Sequence, residues 1–80
     1  MSERIAILRG MECEAYRIAY YLLEADEPAC EAAKRALMSL YREQQLPLLP
    51  EEARRRLLRR LVIREAAADA AREEAQSIAY

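Results

Sequence analysis

Residues 26–43, DEPACEAAKRALMSLYRE, carry the pattern that decides the fold. Pro28 and Glu27 suit the first turn of a helix, where proline is tolerated and negative charge matches the helix dipole. Asp26 is the expected N-cap. The apolar residues then recur every three or four positions, as one face of an α-helix requires: Ala29, Ala32, Ala33, Ala36, Leu37, Leu40 and Tyr41. The stretch therefore predicts an amphipathic helix whose alanine-rich face allows close packing.

A second helical pattern precedes this stretch and runs from about Glu3 to Leu23. Ser2 is a suitable N-cap, because its hydroxyl can accept a free amide hydrogen of the first turn. Gly10 lowers helix propensity by about 1 kcal/mol relative to alanine, so the helix can break there. The apolar positions of this helix form one stripe: Leu8, Met11, Ala15, Ile18 or Ala19, and Leu22.

A third helical pattern follows the linker 44–50, QQLPLLP, and runs from about Glu51 to Ser77. No helix should pass through the linker, since each proline biases its predecessor away from the α region. We therefore predict an all-α fold, a three-helix bundle with a long C-terminal helix, formed by residues 1–80 as a single domain. The expected core residues are Ile18, Leu22, Ala33, Leu37, Leu40, Leu57, Leu61 and Val62.

The composition agrees with an all-helical protein and excludes several kinds of chemistry. The chain has 16 alanines and 11 leucines among 80 residues, and few β-branched residues that would favour strands. It has no histidine, two cysteines and one glycine, so a histidine triad, a four-cysteine zinc site and a glycine-rich phosphate loop are ruled out. We therefore expect no enzyme activity, no metal and no cofactor.

The cysteines and the apolar segments bear on the compartment. Cys13 and Cys30 are expected as reduced thiols that pack as small buried residues. The sequence has no apolar stretch long enough to span a membrane, and MSERIAILRG at the N-terminus does not read as a secretion signal. We expect a cytoplasmic protein that does not bind membranes.

Positive charge is concentrated in one segment of the chain. Residues 51–64 hold six basic and two acidic residues, whereas residues 1–50 have a net charge of −2 and residues 65–80 a net charge of −3. Arg56, Arg60 and Arg64 are spaced by four and so form one ridge of a helix, able to meet successive phosphates. The pattern predicts either an anion-binding surface or a solvated face that keeps a leucine-rich helix soluble.

Three segments together resemble a known family. Residues 15–23, AYRIAYYLL, are similar to the first helix of region 2 of bacterial sigma factors, of the extracytoplasmic-function type. Residues 29–41, ACEAAKRALMSLY, resemble its second helix. Residues 57–72 resemble its third helix, with Arg64 at the family's arginine and DAAR at its DxxR ending. The resemblance covers roughly residues 11–73 and does not include the family's C-terminal helix-turn-helix domain.

The resemblance implies a function in transcription and two sets of contact residues. The second helix of region 2 docks on the clamp helices of the β′ subunit of RNA polymerase, and the third helix with its preceding loop reads and opens the −10 element. Transferred to this chain, the polymerase-binding residues are Glu31, Lys34 and Arg35. The residues facing promoter DNA, to which the arginine ridge adds a member, are Arg56, Arg59, Arg60, Arg64 and Arg72.

This chain differs from the family at several of its motif positions. Lys34 stands at the family's glutamine, Leu58 at its tryptophan and Glu65 at its asparagine. Base trapping during strand opening needs aromatic or apolar side chains, for which the linker offers Leu46, Leu48 and Leu49, with Tyr41 nearby.

Two other functions remain open from the sequence. The main alternative is a non-enzymatic helical module that dimerises, or binds another protein, without contacting DNA. Peripheral membrane binding through the basic segment 53–64 is weaker, because the segment has no interfacial aromatic residues. The alanine-rich C-terminal end, Ala66–Ala79, has few apolar partners within the chain, so we also expect a homo-oligomer.

Overall fold

The computed structural model describes the backbone of residues 2–78 and the side chains of residues 2–72. Within that part of the chain every regular element is helical. The elements in chain order are α1 (Glu3–Arg9), α2 (Glu12–Leu23), α3 (Asp26–Tyr41), a 3₁₀ turn (Leu46–Leu48) and α4 (Glu51–Ile78). The all-α prediction is confirmed. The helix count differs from the predicted three because the first helix is divided.

The division of the first helix lies at Gly10 and Met11. Gly10 has ordinary right-handed backbone angles, φ −69° and ψ −13°, so the break does not require the conformational freedom of glycine. The Met11 amide donates to the carbonyl of Leu8 at 3.0 Å, which closes a turn. The Met11 side chain is buried in the core, and its packing there fixes the turn between α1 and α2. Ser2 caps α1 as predicted, accepting from the Ile5 amide at 3.1 Å.

A tight connection joins α2 to α3. Glu24 adopts the left-handed conformation, with φ 55°, and its amide donates to the carbonyl of Tyr20 at 2.7 Å. Ala25 precedes α3, and Asp26 is its first residue rather than its N-cap, so the predicted cap is wrong. The Asp26 carboxylate instead accepts a hydrogen bond from the hydroxyl of Tyr16 on α2.

One hydrophobic core joins the helices and the 3₁₀ turn, and alanines dominate it. Among the residues whose side chains are described, seven of the twelve buried ones are alanines, which lets α2 and α3 approach closely. Of the predicted core, three residues are buried and four are partly buried against it: Ala33, Leu40 and Val62, then Ile18, Leu37, Leu57 and Leu61. Leu22 was predicted to be buried but is 46% exposed, because Ala15 and Ala19 form the inward side of α2.

The linker before α4 is packed rather than loose. Leu46 is fully buried, and the Arg54 guanidinium on α4 donates to its carbonyl at 3.3 Å. At the other side, Nη1 of Arg4 on α1 donates to the carbonyls of Tyr41 and Glu43, both at 2.6 Å. These contacts fix α1, the end of α3 and the linker to one another.

α4 is the longest element and determines the elongated shape of the molecule. Its 28 residues span about 42 Å at 1.5 Å per residue, against about 24 Å for the 16 residues of α3. The molecule accordingly measures 47 × 21 × 20 Å. Among the described residues, every helix is too short or too polar to cross a lipid bilayer. Residues 73–79, the second half of the alanine-rich end Ala66–Ala79, lie outside the described side chains.

Candidate functional site

Three of the five predicted DNA-facing arginines form one exposed surface on the first half of α4. Arg56, Arg59 and Arg60 are exposed and, with Ile63, line a shallow groove of about 290 Å³. Ile63 is 47% exposed and lines the same groove as these arginines. We call these four residues the arginine face.

The position of the arginine face follows from helical periodicity. Leu58 and Val62 are fully buried and direct one side of α4 into the core. Arg56 and Arg60 are one turn apart on the opposite side, and Arg59 follows Arg56 by three residues. Within the described side chains, none of the three arginines is within ion-pair distance of a carboxylate. Their charge is therefore free to act on an external anion.

The other two predicted arginines, Arg64 and Arg72, lie beside acidic residues of α4. Arg72 pairs with Asp69 at 2.6 Å, and Nε of Arg64 is 3.8 Å from a carboxylate oxygen of Glu65. The same two carboxylates also bind Arg35 of α3, at 2.9 Å from Glu65 and 2.5 Å from Asp69. Arg35, Arg64 and Arg72, predicted for two separate surfaces, thus meet in one charge network between α3 and α4.

This network has the electrostatics of an internal link between helices. Partial burial disfavours the charge of Arg35, but the hydrogen bonds and charges of Glu65 and Asp69 outweigh it and raise the guanidinium pKa above its usual value. The two carboxylates are mostly buried beneath the arginines, with 19% and 16% of their side chains exposed. Arg35 therefore donates hydrogen bonds to α4 of the same chain.

The remaining predicted polymerase-binding residues are on the open surface of α3. Glu31 and Lys34 are exposed, and their charged groups are 3.9 Å apart across one helical turn. An exposed pair at this spacing adds at most about 0.5 kcal/mol to stability, so both side chains can exchange it for other contacts.

The linker leucines are not equivalent. Leu46 is fully buried, so it is not exposed for contact with an unstacked base. Leu49 is partly buried, and Leu48 is 83% exposed. Tyr41 is exposed, but its ring has the guanidinium of Arg4 at 5.8 Å from its centroid. One exposed leucine is a small apolar surface with which to hold an unstacked base.

A second surface, on α2 and the start of α3, was not predicted as a site. Tyr16, Arg17, Tyr20, Tyr21 and Asp26 line an open groove of about 350 Å³. The rings of Tyr16 and Tyr20 are 5.8 Å apart between centroids and tilted by 30°. We call these five residues the tyrosine groove.

Two residues of these surfaces were missed at the sequence level. Ile63 follows Arg60 by three residues and Arg56 by seven, so helical spacing alone could have placed it among the arginines. Tyr21 is 83% exposed and could have been found as the aromatic residue outside the apolar stripe of α2. Cys13 and Cys30 are also exposed, contrary to their predicted burial, because Ala15 and Ala19 take the inward positions of α2, and Ala29 and Ala32 those of α3.

Neither metal-ligand geometry nor similarity to known proteins identifies a further site. Across the described side chains, no three histidine, cysteine or acidic residues lie close enough together to hold a metal ion. Comparison with protein families, with curated proteins and with solved structures finds no match for this chain.

Proposed function

We propose that this protein is a sigma region 2-like transcription module that binds the RNA polymerase core and contacts promoter DNA through the arginine face. The observation that carries the proposal is the exposed positive charge of Arg56, Arg59 and Arg60 on one side of α4, with no carboxylate at ion-pair distance among the described side chains. In the sigma resemblance, α4 corresponds to the helix that faces the −10 element. Such a protein acts in the cytoplasm, on the chromosome.

The charge network gives the predicted DNA-binding and polymerase-binding residues different roles. Arg56, Arg59 and Arg60 are the primary phosphate contacts. Arg64 and Arg72 contribute less, since Glu65 and Asp69 neutralise part of their field. Glu31 and Lys34 make the polymerase contact, and Arg35 supports it by holding α3 against α4.

The DNA contact is tested by removing two charges from the arginine face. Arg56→Gln/Arg60→Gln should weaken binding to duplex DNA carrying a −10 element. Each lost phosphate contact should lower the log–log slope of affinity against salt by about 0.9. The measurement is fluorescence anisotropy of labelled DNA across a salt series. The matched control is Arg9→Gln/Arg42→Gln, which removes the same charge from exposed positions outside α4. Equal effects of both double variants would contradict a specific arginine face.

The polymerase contact is tested separately, by reversing charge on α3. Lys34→Glu should reduce capture of the RNA polymerase core by the tagged protein, because it inverts the exposed charge beside Glu31. Arg56→Gln/Arg60→Gln should capture the core like the wild type, since those residues lie on another helix. Arg9→Glu serves as the charge-reversal control. The polymerase assignment fails if the wild type captures no core enzyme.

A helical interaction module without DNA binding is the second candidate, and a specific observation favours it. Arg64 and Arg72, two of the five predicted DNA-facing arginines, lie within ion-pair distance of Glu65 and Asp69 of the same chain, which leaves fewer arginines for DNA than the resemblance implied. The DNA titration separates the two candidates: a module of this kind shows no salt-dependent DNA binding, while it still binds protein.

A further inference from the structure

The tyrosine groove has the chemistry of a receptor for arginine side chains. Tyr20 is 44% and Tyr21 83% exposed, so two aromatic faces are open to solvent. The hydroxyl of Tyr16 donates to Asp26, which fixes that carboxylate at the edge of the rings. A guanidinium group stacks on aromatic faces and donates to carboxylates, so one arginine can use both features together.

The charge around the groove favours a cationic occupant. Arg17 belongs to the lining, but Glu24, Asp26 and Glu27 outnumber it, and residues 16–27 have a net charge of −2. Glu24 and Glu27 are both exposed. An arginine brought to the rings therefore meets a negative local field.

The same protein already uses this pairing internally. Arg4 lies over the ring of Tyr41, 5.8 Å from its centroid, while the same guanidinium donates to the carbonyls of Tyr41 and Glu43. The tyrosine groove has the equivalent components, with Asp26 as the acceptor. Within the described side chains, no arginine occupies it in this way.

The arginine face is the complementary surface on the same molecule. Its three arginines lie in a segment of net charge +4, and Ile63 adds an exposed apolar side chain beside them. The positive charge of the arginine face thus matches the aromatic rings and the negative charge of the tyrosine groove.

We propose that the tyrosine groove of one copy receives the arginine face of a second copy, so that the protein self-associates through two unlike surfaces. Each copy carries both halves of the contact. Such a contact closes into a dimer when the second pair of surfaces also meets, and otherwise continues as a chain of copies. Because the arginine face is covered in the associated form, DNA and self-association compete for it. Self-association does not depend on DNA binding.

Two variants, each lacking one half of the contact, test the proposal. Arg56→Glu/Arg60→Glu removes the arginine face, and Tyr20→Ala/Tyr21→Ala removes the exposed rings. By sedimentation equilibrium, the wild type should associate and each variant should be weakened at least tenfold. An equimolar mixture of the two variants should form 1:1 complexes, since the intact groove of one meets the intact arginine face of the other.

The controls separate this contact from general effects of charge and folding. Arg9→Glu/Arg42→Glu makes the same change in net charge at exposed positions outside both surfaces and should associate like the wild type. Circular dichroism checks whether each variant keeps its helices. A variant that loses them is replaced by Arg56→Gln/Arg60→Gln or Tyr20→Ser/Tyr21→Ser. A monomeric wild type at several hundred micromolar, a mixture that stays monomeric, or equal loss in the control overturns the proposal.

Discussion

Tyr16 holds its proton more tightly than an ordinary tyrosine. The hydrogen bond to Asp26 is the main cause and raises the pKa of Tyr16 to about 12, from 10.0. In the unfolded chain, the hydroxyl of Tyr16 has the ordinary tyrosine pKa of about 10. Between about pH 10 and pH 12, the unfolded chain therefore binds fewer protons than the folded one, and the free energy of unfolding falls as pH rises. Below pH 10 this contribution is complete.

The tyrosine absorbance during an alkaline titration checks this prediction. The wild type should show one group that ionises after the rest, and Tyr16→Phe should lack that late step. Tyr20→Phe, which removes a neighbouring ring hydroxyl without the bond to Asp26, should keep it. A late step that survives in Tyr16→Phe would show that another residue is responsible.

Glu24 stores local backbone strain. It is a non-glycine residue in the left-handed region, with φ 55°, at the C-terminal end of α2. Glycine adopts this conformation without steric cost, so Glu24→Gly should raise the free energy of unfolding by about 0.5–1 kcal/mol. Urea denaturation measures the change. Glu31→Gly, in the interior of α3, should instead lower it by about 1 kcal/mol. If both changes destabilise, the strain at Glu24 is not significant.

At the scale of the element, α3 depends on a few large side chains among many alanines. Leu40 is fully buried, so Leu40→Ala should lower the free energy of unfolding by about 2–5 kcal/mol. Leu37 is only partly buried, and Leu37→Ala should cost less. Leu22→Ala on α2 is the control: its side chain is 46% exposed, and the loss should be smallest. Urea denaturation measures the loss of unfolding free energy in each variant. A larger loss in Leu22→Ala than in Leu40→Ala would contradict the burial of these side chains.

The helices were predictable from the sequence because their periodicity is strong. The alanine face of α3, the Ser2 cap and the start of α4 follow from local rules, and the structure has them. The inward side of α2 was harder to predict, since Ile18 and Leu22 compete with Ala15 and Ala19, and hydrophobicity alone favours the larger residues. Close approach of α2 to α3 selects the alanines, and that distance is a tertiary property.

The candidate site was predictable only in part for a related reason. The spacing of Arg56 and Arg60 places them on one ridge, and both are exposed. The partners of Arg35, however, are 30 and 34 residues away, at Glu65 and Asp69. No local rule pairs charges at such separations, so nothing in the sequence pattern opposed the external contact that the resemblance to sigma region 2 implied for Arg35.

At the scale of the whole molecule, Arg4 ties the first helix to the rest. It donates to carbonyls at the end of α3 and just beyond, where the helix leaves its last acceptors free. Arg4→Ala should lower the free energy of unfolding by about 1–2 kcal/mol and release α1. Hydrogen exchange should rise most in residues 3–9, which detach first. Arg9→Ala is the control and should leave exchange in α1 nearly unchanged. Uniform acceleration across all helices would contradict a local tether.

The alanine-rich core has a thermal consequence. The heat capacity of unfolding comes mainly from the apolar area that becomes hydrated, and an alanine side chain exposes little of it. With alanines at seven of twelve buried positions, the value per residue should be below the usual ~12–15 cal/mol/K. A small heat capacity flattens the dependence of stability on temperature. Cooling should therefore weaken this protein less than it weakens domains built on leucine and phenylalanine cores.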